Sequence, residues 1–282
     1  MLIPFQASAR RVASSVPLAV CATPIGNLDD VTLRVLRELA EAELVLCEDT
    51  RRTRVLLDRH GIGARLWSYH EHNEVRRTAD VIPRLAAGER VALVSDAGLP
   101  GISDPGARLV AAALAAGVPV TVLPGPSAVE TALVASGFSA ERYQFLGYLP
   151  RTKRGLAALW AELARWPHAA VAFESSQRLP AALASLAQAQ PTRQIAVCRE
   201  LTKVFEEVVR GAAAEVARRF VQPPKGEITL VLAPTLPAKP DETEPLAAVA
   251  ELVAAGISRR QAVELVSRLT GVPRNRLYGA SL

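Results

Sequence analysis

The sequence predicts a two-domain α/β fold with a small helical C-terminal tail. Short apolar runs alternate with helical patterns from Pro17 to Leu123, the alternation restarts after Pro124-Gly-Pro126, and a proline-rich polar stretch precedes the last helices.

In the first domain, residues 17–123, the strands are predicted at 18–22, 44–47, 91–95 and 118–123. Between them Leu33, Leu36 and Ala40 share one helical face, as do Val81, Leu85 and the neighbouring Ala86. Gly61, Gly88 and Gly117 stand where helices should stop, so each strand feeds a crossover helix. The second domain, residues 124–233, carries predicted strands at 143–146, 169–173, 194–198 and 227–232. Residues 234–245 read as an extended linker, and residues 246–282 as a basic tail with helices at 246–255 and 258–269 joined at Gly256. Arg259, Arg260, Arg268, Arg274 and Arg276 charge that tail. Residues 1–16 read as a disordered extension. Arg10 and Arg11 before an apolar stretch imitate an export signal, but the stretch is short and no convincing cleavage site follows.

Half of the 282 residues are hydrophobic and 22% are charged, enough for sizeable cores. No apolar run approaches the ~18 residues of a membrane span. Cys21, Cys47 and Cys198 lie far apart in apolar runs without C-x-x-C spacing, which points to a reducing cytoplasm rather than a disulfide scaffold. The net charge of +5 permits an anionic partner. With four lysines in the chain the basic surface is almost all arginine, the side chain suited to forked phosphate contacts.

Three segments at strand ends carry the candidate chemistry. Thr23-Pro-Ile-Gly-Asn-Leu-Asp-Asp-Val-Thr32 holds a single glycine, which is no dinucleotide fingerprint; Gly26 and Asn27 also suit a tight turn with a polar helix cap. Ser95-Asp-Ala-Gly-Leu-Pro-Gly-Ile-Ser-Asp-Pro-Gly106 combines glycines that let a ligand approach the backbone with Asp96, which can accept from an ammonium or a ribose hydroxyl. Leu123-Pro-Gly-Pro-Ser-Ala128 marks the domain junction, a favoured place for a cleft, and Ser127 can cap the next helix. His70-Glu-His72 could pair on a metal, but with no cysteine near, a structural or RNA-contacting loop is the stronger reading and no metal is expected.

These segments, with Cys47-Glu-Asp-Thr-Arg51, His70-Glu-His-Asn-Glu74, Arg199-Glu-Leu-Thr-Lys203 and Lys225-Gly-Glu227, occur in the order seen in the ribosomal RNA small subunit methyltransferase I family, and the chain resembles that family over nearly its whole length. The resemblance implies a tetrapyrrole-methylase (class III methyltransferase) fold, S-adenosylmethionine bound between the two domains, and 2'-O-methylation of a cytidine in 16S rRNA of the small ribosomal subunit. It also implies a homodimer. The chain departs from the family at Leu99-Pro-Gly-Ile-Ser103, where Thr-Pro-Leu-Ile-Asn is expected, and by about sixteen residues before Pro17.

On that resemblance the candidates for holding the cofactor are Pro24, Gly26, Asp96, Ala97, Gly98, Pro124, Gly125, Ser127, Glu174 and Gly226. Glu174-Ser-Ser-Gln-Arg178 is equally a strand-to-helix cap by Ser175 or Ser176. A ribose hydroxyl is a poor nucleophile at neutral pH and needs a base or nearby cations. Glu48, Asp49, Asp96, Glu200, Lys203 and Lys225 are candidates, and Lys203 and Lys225 with Glu200 or Asp96 are expected to surround the hydroxyl, unless the lysines are ordinary solvated ions. Arg51, Arg52, Arg54, His70, His72, Asn73, Arg259 and Arg260 are the candidate RNA contacts. The rival enzymatic reading is a methyltransferase of the same fold acting on a tetrapyrrole or another small acceptor. A catalytically silent RNA-binding protein would keep the arginines but has no need of intact glycine-rich loops.

Overall fold

The computed structural model describes residues 16–235 and 243–279. Of the expected extension at 1–16 only the last residue is described; of the expected linker at 234–245, residues 236–242 lie outside the described residues and 243–245 already form the start of a helix rather than an extended segment.

The first sheet is all parallel, in the order β3-β2-β4-β1-β5, from β1 (Leu18–Cys21), β2 (Leu44–Cys47), β3 (Leu66–Ser68), β4 (Val91–Leu93) and β5 (Val120–Leu123). Helices cover both of its faces, and the strand period of two divides the side chains between them. Leu18, Val20, Leu44, Leu46, Val91 and Leu93 pack on one side against Val81 and Leu85 of α3 (Glu74–Ala86) and Leu109 of α4 (Ala107–Ala115). Ala19, Cys21, Val45, Cys47 and Ala92 pack on the other against Val35 and Leu39 of α1 (Leu33–Glu41) and Leu57 of α2 (Thr50–Arg59). Truncating a fully buried anchor such as Leu39 should cost about 2–5 kcal/mol.

The second sheet is mixed, in the order β6-β7-β10-β8-β9, with β6 (Tyr143–Tyr148) parallel to β7 (Ala169–Glu174). Then β10 (Ile228–Leu232) runs antiparallel to both β7 and β8 (Gln194–Arg199), and β9 (Glu207–Ala212) is antiparallel to β8. One face packs on α6 (Lys153–Leu163), α7 (Leu179–Ala189) and α8 (Ala213–Arg219) through Trp160, Leu183 and Val216. The other receives Val129, Ala132 and Leu133 of α5 (Ala128–Ser136), the helix that follows β5 out of the first sheet. Beyond these, α9 (Thr243–Ala254), α10 (Arg259–Thr270) and α11 (Arg274–Gly279) close around their own core of Val249, Val263, Val266 and Leu277.

The eight expected strands and both expected tail helices form, and Gly61, Gly88 and Gly117 end helices with φ of 66°, 89° and 71°. Two strands and α11 were not expected. β3 has three residues at a sheet edge, and β9 is an edge strand broken by Gly211, so neither shows an uninterrupted apolar run. The helical faces also need correction. Leu33 is 61% exposed because it opens α1 directly after the Thr32 cap, and Ala40 and Ala86 are exposed too; the buried stripe of α1 is Val35, Leu36 and Leu39.

Candidate functional site

In a parallel sheet every loop after a strand opens at the same edge. The loops after β1, β2, β4 and β5 therefore converge, and hydrogen bonds fix them to one another. Thr23 and Gly98 exchange N–H···O bonds of 2.8 and 3.1 Å, Thr23 Oγ1 donates to the Ser95 carbonyl at 3.0 Å, and Ala22 N donates to the Leu123 carbonyl at 3.1 Å. The second sheet meets this edge with the ends of β6, β7 and β8. Because β10 runs the other way, its first residues lie beside the last of its neighbours: Ile228 pairs with both Glu174 and Arg199. A cavity of about 750 Å³ lies where the two edges meet.

Its apolar walls include Ile25, Phe145, Phe173 and Leu201, and Phe173 stacks edge-on against Phe145 and Tyr148. Its polar lining is lopsided: Glu48, Asp96, Asp104, Glu130, Glu174 and Glu227 face a single lining arginine, Arg52. Three of the acids have partners of opposite charge, Glu227 through Lys203 at 2.9 Å. Arg52 reaches Asp96 at 3.2 Å, where Asp96 also accepts from the Asp49 amide at 3.0 Å, and the deeply buried Glu174 is held by Arg178 at 2.6 Å. The others crowd. Burial, then the charge of Glu48, pushes Asp104 up to about 6, and burial, then Asp96, raises Glu48. The same field, after burial, raises the Tyr148 hydroxyl. A cavity of this sign favours a cation.

Beside it, Lys203 Nζ bridges Glu200 Oε1 at 2.8 Å and Glu227 Oε2 at 2.9 Å, and Glu200 Oε1 also accepts from the Glu227 amide at 2.9 Å. Partial burial pulls Lys203 down, but its bonds to the two carboxylates outweigh that and leave it raised; the Lys203 hydrogen bond lowers Glu200. Glu200 and Thr202 hold this turn in positive φ, at 51° and 66°. Gly26 lies against the turn so closely that a Cβ would meet the Leu201 carbonyl at 2.9 Å, and Asn27 N donates to Thr202 Oγ1 at 3.0 Å. Gly226, at φ 101°, is packed the same way on Glu200.

Of the sequence candidates, Asp96, Ala97, Gly98, Pro124, Gly125, Ser127, Glu174 and Gly226 line the cavity, as do Glu48 and Arg52. Pro24 and Gly26 lie in the adjoining loop, Gly26 against Lys203. Lys203 and Glu200 are together, whereas the Lys225 side chain is exposed with its carbonyl bonded to Arg199, and Asp96 is engaged by Arg52 and Asp49. Arg51 grips Asp49 through two nitrogens, at 3.1 and 2.7 Å, and holds that carboxyl at about 2. His70-Glu-His-Asn73 is a self-bonded turn: Asn73 Oδ1 accepts from His70 N at 2.9 Å. Arg259 and Arg260 open α10.

Two expected caps are not made. Ser127 stands at the α5 N-cap, but its hydroxyl turns to the Glu130 carboxylate, which also accepts from Tyr143 OH at 2.7 Å. α7 starts only at Leu179, so neither Ser175 nor Ser176 caps it. The Asn27 cap does form, Oδ1 accepting from Asp29 N at 3.1 Å ahead of a short 3₁₀ turn at Leu28–Asp30. Among the lining residues not singled out as candidates are Asp104, Glu130, Tyr148 and Glu227. Asp104 and Glu227 sit within the quoted motifs, but that they face one space is visible only once the two sheets meet.

Among the described residues no group of three His, Cys, Asp or Glu is arranged to hold a metal, and no helix is long and apolar enough to cross a membrane.

Residues 17–217 match the family described as Tetrapyrrole (Corrin/Porphyrin) Methylases. A ribosomal RNA small subunit methyltransferase I from Mycobacterium bovis is 45% identical over 95% of each chain, and one from Mesorhizobium japonicum 42% identical over 93% of this chain and 90% of that protein. A third, from Thermotoga maritima, is 42% identical over 76% of this chain and 97% of its own length. Among solved structures, the methyltransferase CobJ superposes with a TM-score of 0.60 at 20% identity, covering 78% of this chain and 95% of that one. Diphthine synthase does so with 0.61 at 15% identity, covering 77% and 89%.

Proposed function

The chain belongs to the tetrapyrrole methylase family, among its ribosomal RNA small subunit methyltransferase I members, and we propose that it uses S-adenosylmethionine to methylate the 2'-oxygen of a cytidine in 16S rRNA. The observation that carries the cofactor half of this reading is the acidic cavity at the joined edges of the two sheets. Its volume of about 750 Å³ suits a nucleoside-sized ligand, its aromatic and aliphatic walls suit an adenosine, and its carboxylates suit a ligand bearing an ammonium and a sulfonium.

When bound, S-adenosylmethionine supplies a methyl group already activated on positive sulfur. The chain's part is alignment and charge. Glu174, locked by Arg178, and Asp96, locked by Arg52 and the Asp49 amide, are fixed acceptors that need no reorganisation when a cation arrives. The Lys203 bridge to Glu200 and Glu227 fixes the turn after β8 to the start of β10, and the Asn27 amide bond to Thr202 Oγ1 joins the loop holding Gly26 to that turn. The acceptor hydroxyl loses its proton as the oxygen–carbon bond forms and the carbon–sulfur bond breaks. Asp104, ionising near 6, is the lining carboxylate suited to take that proton at neutral pH. We extend the reading to the small ribosomal subunit as the setting of the RNA, the cytoplasm as compartment and a homodimer as working form.

Calorimetry tests the cofactor assignment. S-adenosylmethionine and the neutral S-adenosylhomocysteine should both bind, and Asp104→Asn should weaken the cation more than the neutral product. Failure of both to bind the parent protein would end the assignment.

A further inference from the structure

A second concavity, of about 550 Å³, lies between α2 and the edge strand β3, lined by Thr50, Arg51, Arg54, Ala64, Arg65 and Leu66. Three of those six residues are arginines and none is acidic. Arg51 is 89% exposed, and the carboxylate that grips it, Asp49, lies outside the lining. Arg54 donates one N–H to the Ala64 carbonyl at 3.3 Å, which aims its guanidinium along the groove. Arg65 is ordered from the opposite side: its guanidinium stands 5.2 Å from the Trp67 ring centre, and Arg77 and Arg84 approach the same ring at 4.9 and 4.7 Å. Arg84 is held by Glu89 and Arg77 by the Ser68 carbonyl, so Arg65 is the one of the three that also lines the groove, and stacking limits the rotamer freedom it would lose on binding an anion.

The groove adjoins the cavity. The first turn of α2 separates them, with Arg52 facing the cavity and its neighbours Arg51 and Arg54 lining the groove. We propose that this groove binds the phosphodiester backbone of the RNA flanking the acceptor ribose, with Arg51, Arg54 and Arg65 as the phosphate contacts and Trp67 as the platform that positions Arg65. The inference rests on the RNA-methylation reading above. Forked guanidiniums over a shallow, open groove match a chain of phosphates, and the acidic cavity next door would repel one, so the strand is drawn along the edge while only a sugar need enter.

The test is the salt dependence of binding to small-subunit RNA for the parent protein and the variant R51Q/R54Q/R65Q, with S-adenosylhomocysteine affinity measured on the same samples. Three lost phosphate contacts should reduce the slope of log affinity against log salt by about 2 to 3, at roughly 0.7–0.9 per contact. Cofactor affinity should stay within about twofold, since none of the three lines the cavity. R51K/R54K/R65K should restore the slope because it restores the charge. An unchanged slope in the glutamine variant, with cofactor binding intact, overturns the groove. RNA binding with a normal slope but no methyl transfer by the parent overturns the methylation reading instead.

Discussion

Gly26 and Lys203 touch across the two sheets: a Cβ on the glycine would stand 2.5 Å from Lys203 Cγ and 2.9 Å from the Leu201 carbonyl. The lysine stem can move, but the carbonyl is backbone in a turn already held at positive φ. Gly26→Ala should therefore cost about 1–3 kcal/mol of stability and weaken cofactor binding, as read by thermal denaturation and calorimetry. Unchanged values for both would show that the loops are not wedged together.

Lys203 and Lys225 flank the paired ends of β8 and β10 but differ in surroundings. Lys203 neutralises two carboxylates, and its removal leaves Glu200 and Glu227 facing each other. Lys203→Ala should slow single-turnover methyl transfer by about tenfold or more, while Lys225→Ala, which breaks no ion pair seen among the described residues, should change it by less than about threefold. Equal losses would argue that both ammonium groups meet the substrate.

Asp104 makes two pH predictions of opposite use. Its carboxyl is raised to about 6, from an ordinary value of 3.8, so between those pH values the folded chain binds more protons than the unfolded one. Stability from this group falls as pH rises from about 4 to 6 and stays low above it; Asp104→Asn should accordingly be more stable than the parent at pH 7.5, by of order 1–3 kcal/mol in urea titrations. Cofactor affinity should move the other way, tightening as pH rises through about 6 when Asp104 ionises, and Asp104→Asn should flatten that profile. A parent profile already flat between pH 5 and 7 would contradict the role.

Ser103 occupies φ 62°, a region that asparagine and glycine enter more readily than serine. Ser103→Asn should raise stability by about 0.5–1 kcal/mol, seen as a higher urea midpoint at constant slope. A lower midpoint would mean that the hydroxyl makes a contact that outweighs the backbone strain.

Alternation of apolar runs with helical stripes was legible because the first sheet is buried on both faces, so Leu44 to Cys47 or Val91 to Leu93 carry no polar residue to blur them. β3 was not legible, because Trp67 at a sheet edge is packed by Arg65, Arg77 and Arg84 rather than by an apolar run. The site was half legible. Glycine-rich loops announced themselves at Ser95–Gly98 and Pro124–Gly125, since close backbone approach needs those residues wherever the partner lies. Convergence of Glu48, Asp104 and Glu227 depends on an antiparallel β10 returning its first residues to the parallel sheet's edge, a tertiary fact with no local signature. Lys203 was singled out for its charge, but its bridge between Glu200 and Glu227 follows from the positive-φ turn at Glu200 and Thr202.

The most direct test of the central claim is transfer of tritium from methyl-labelled S-adenosylmethionine to small ribosomal subunits that lack the modification, followed by nuclease digestion to locate the label. Label on the 2'-oxygen of a cytidine in 16S rRNA is expected. Cofactor binding with the RNA left unlabelled would contradict it and assign this cavity to another acceptor on the same fold.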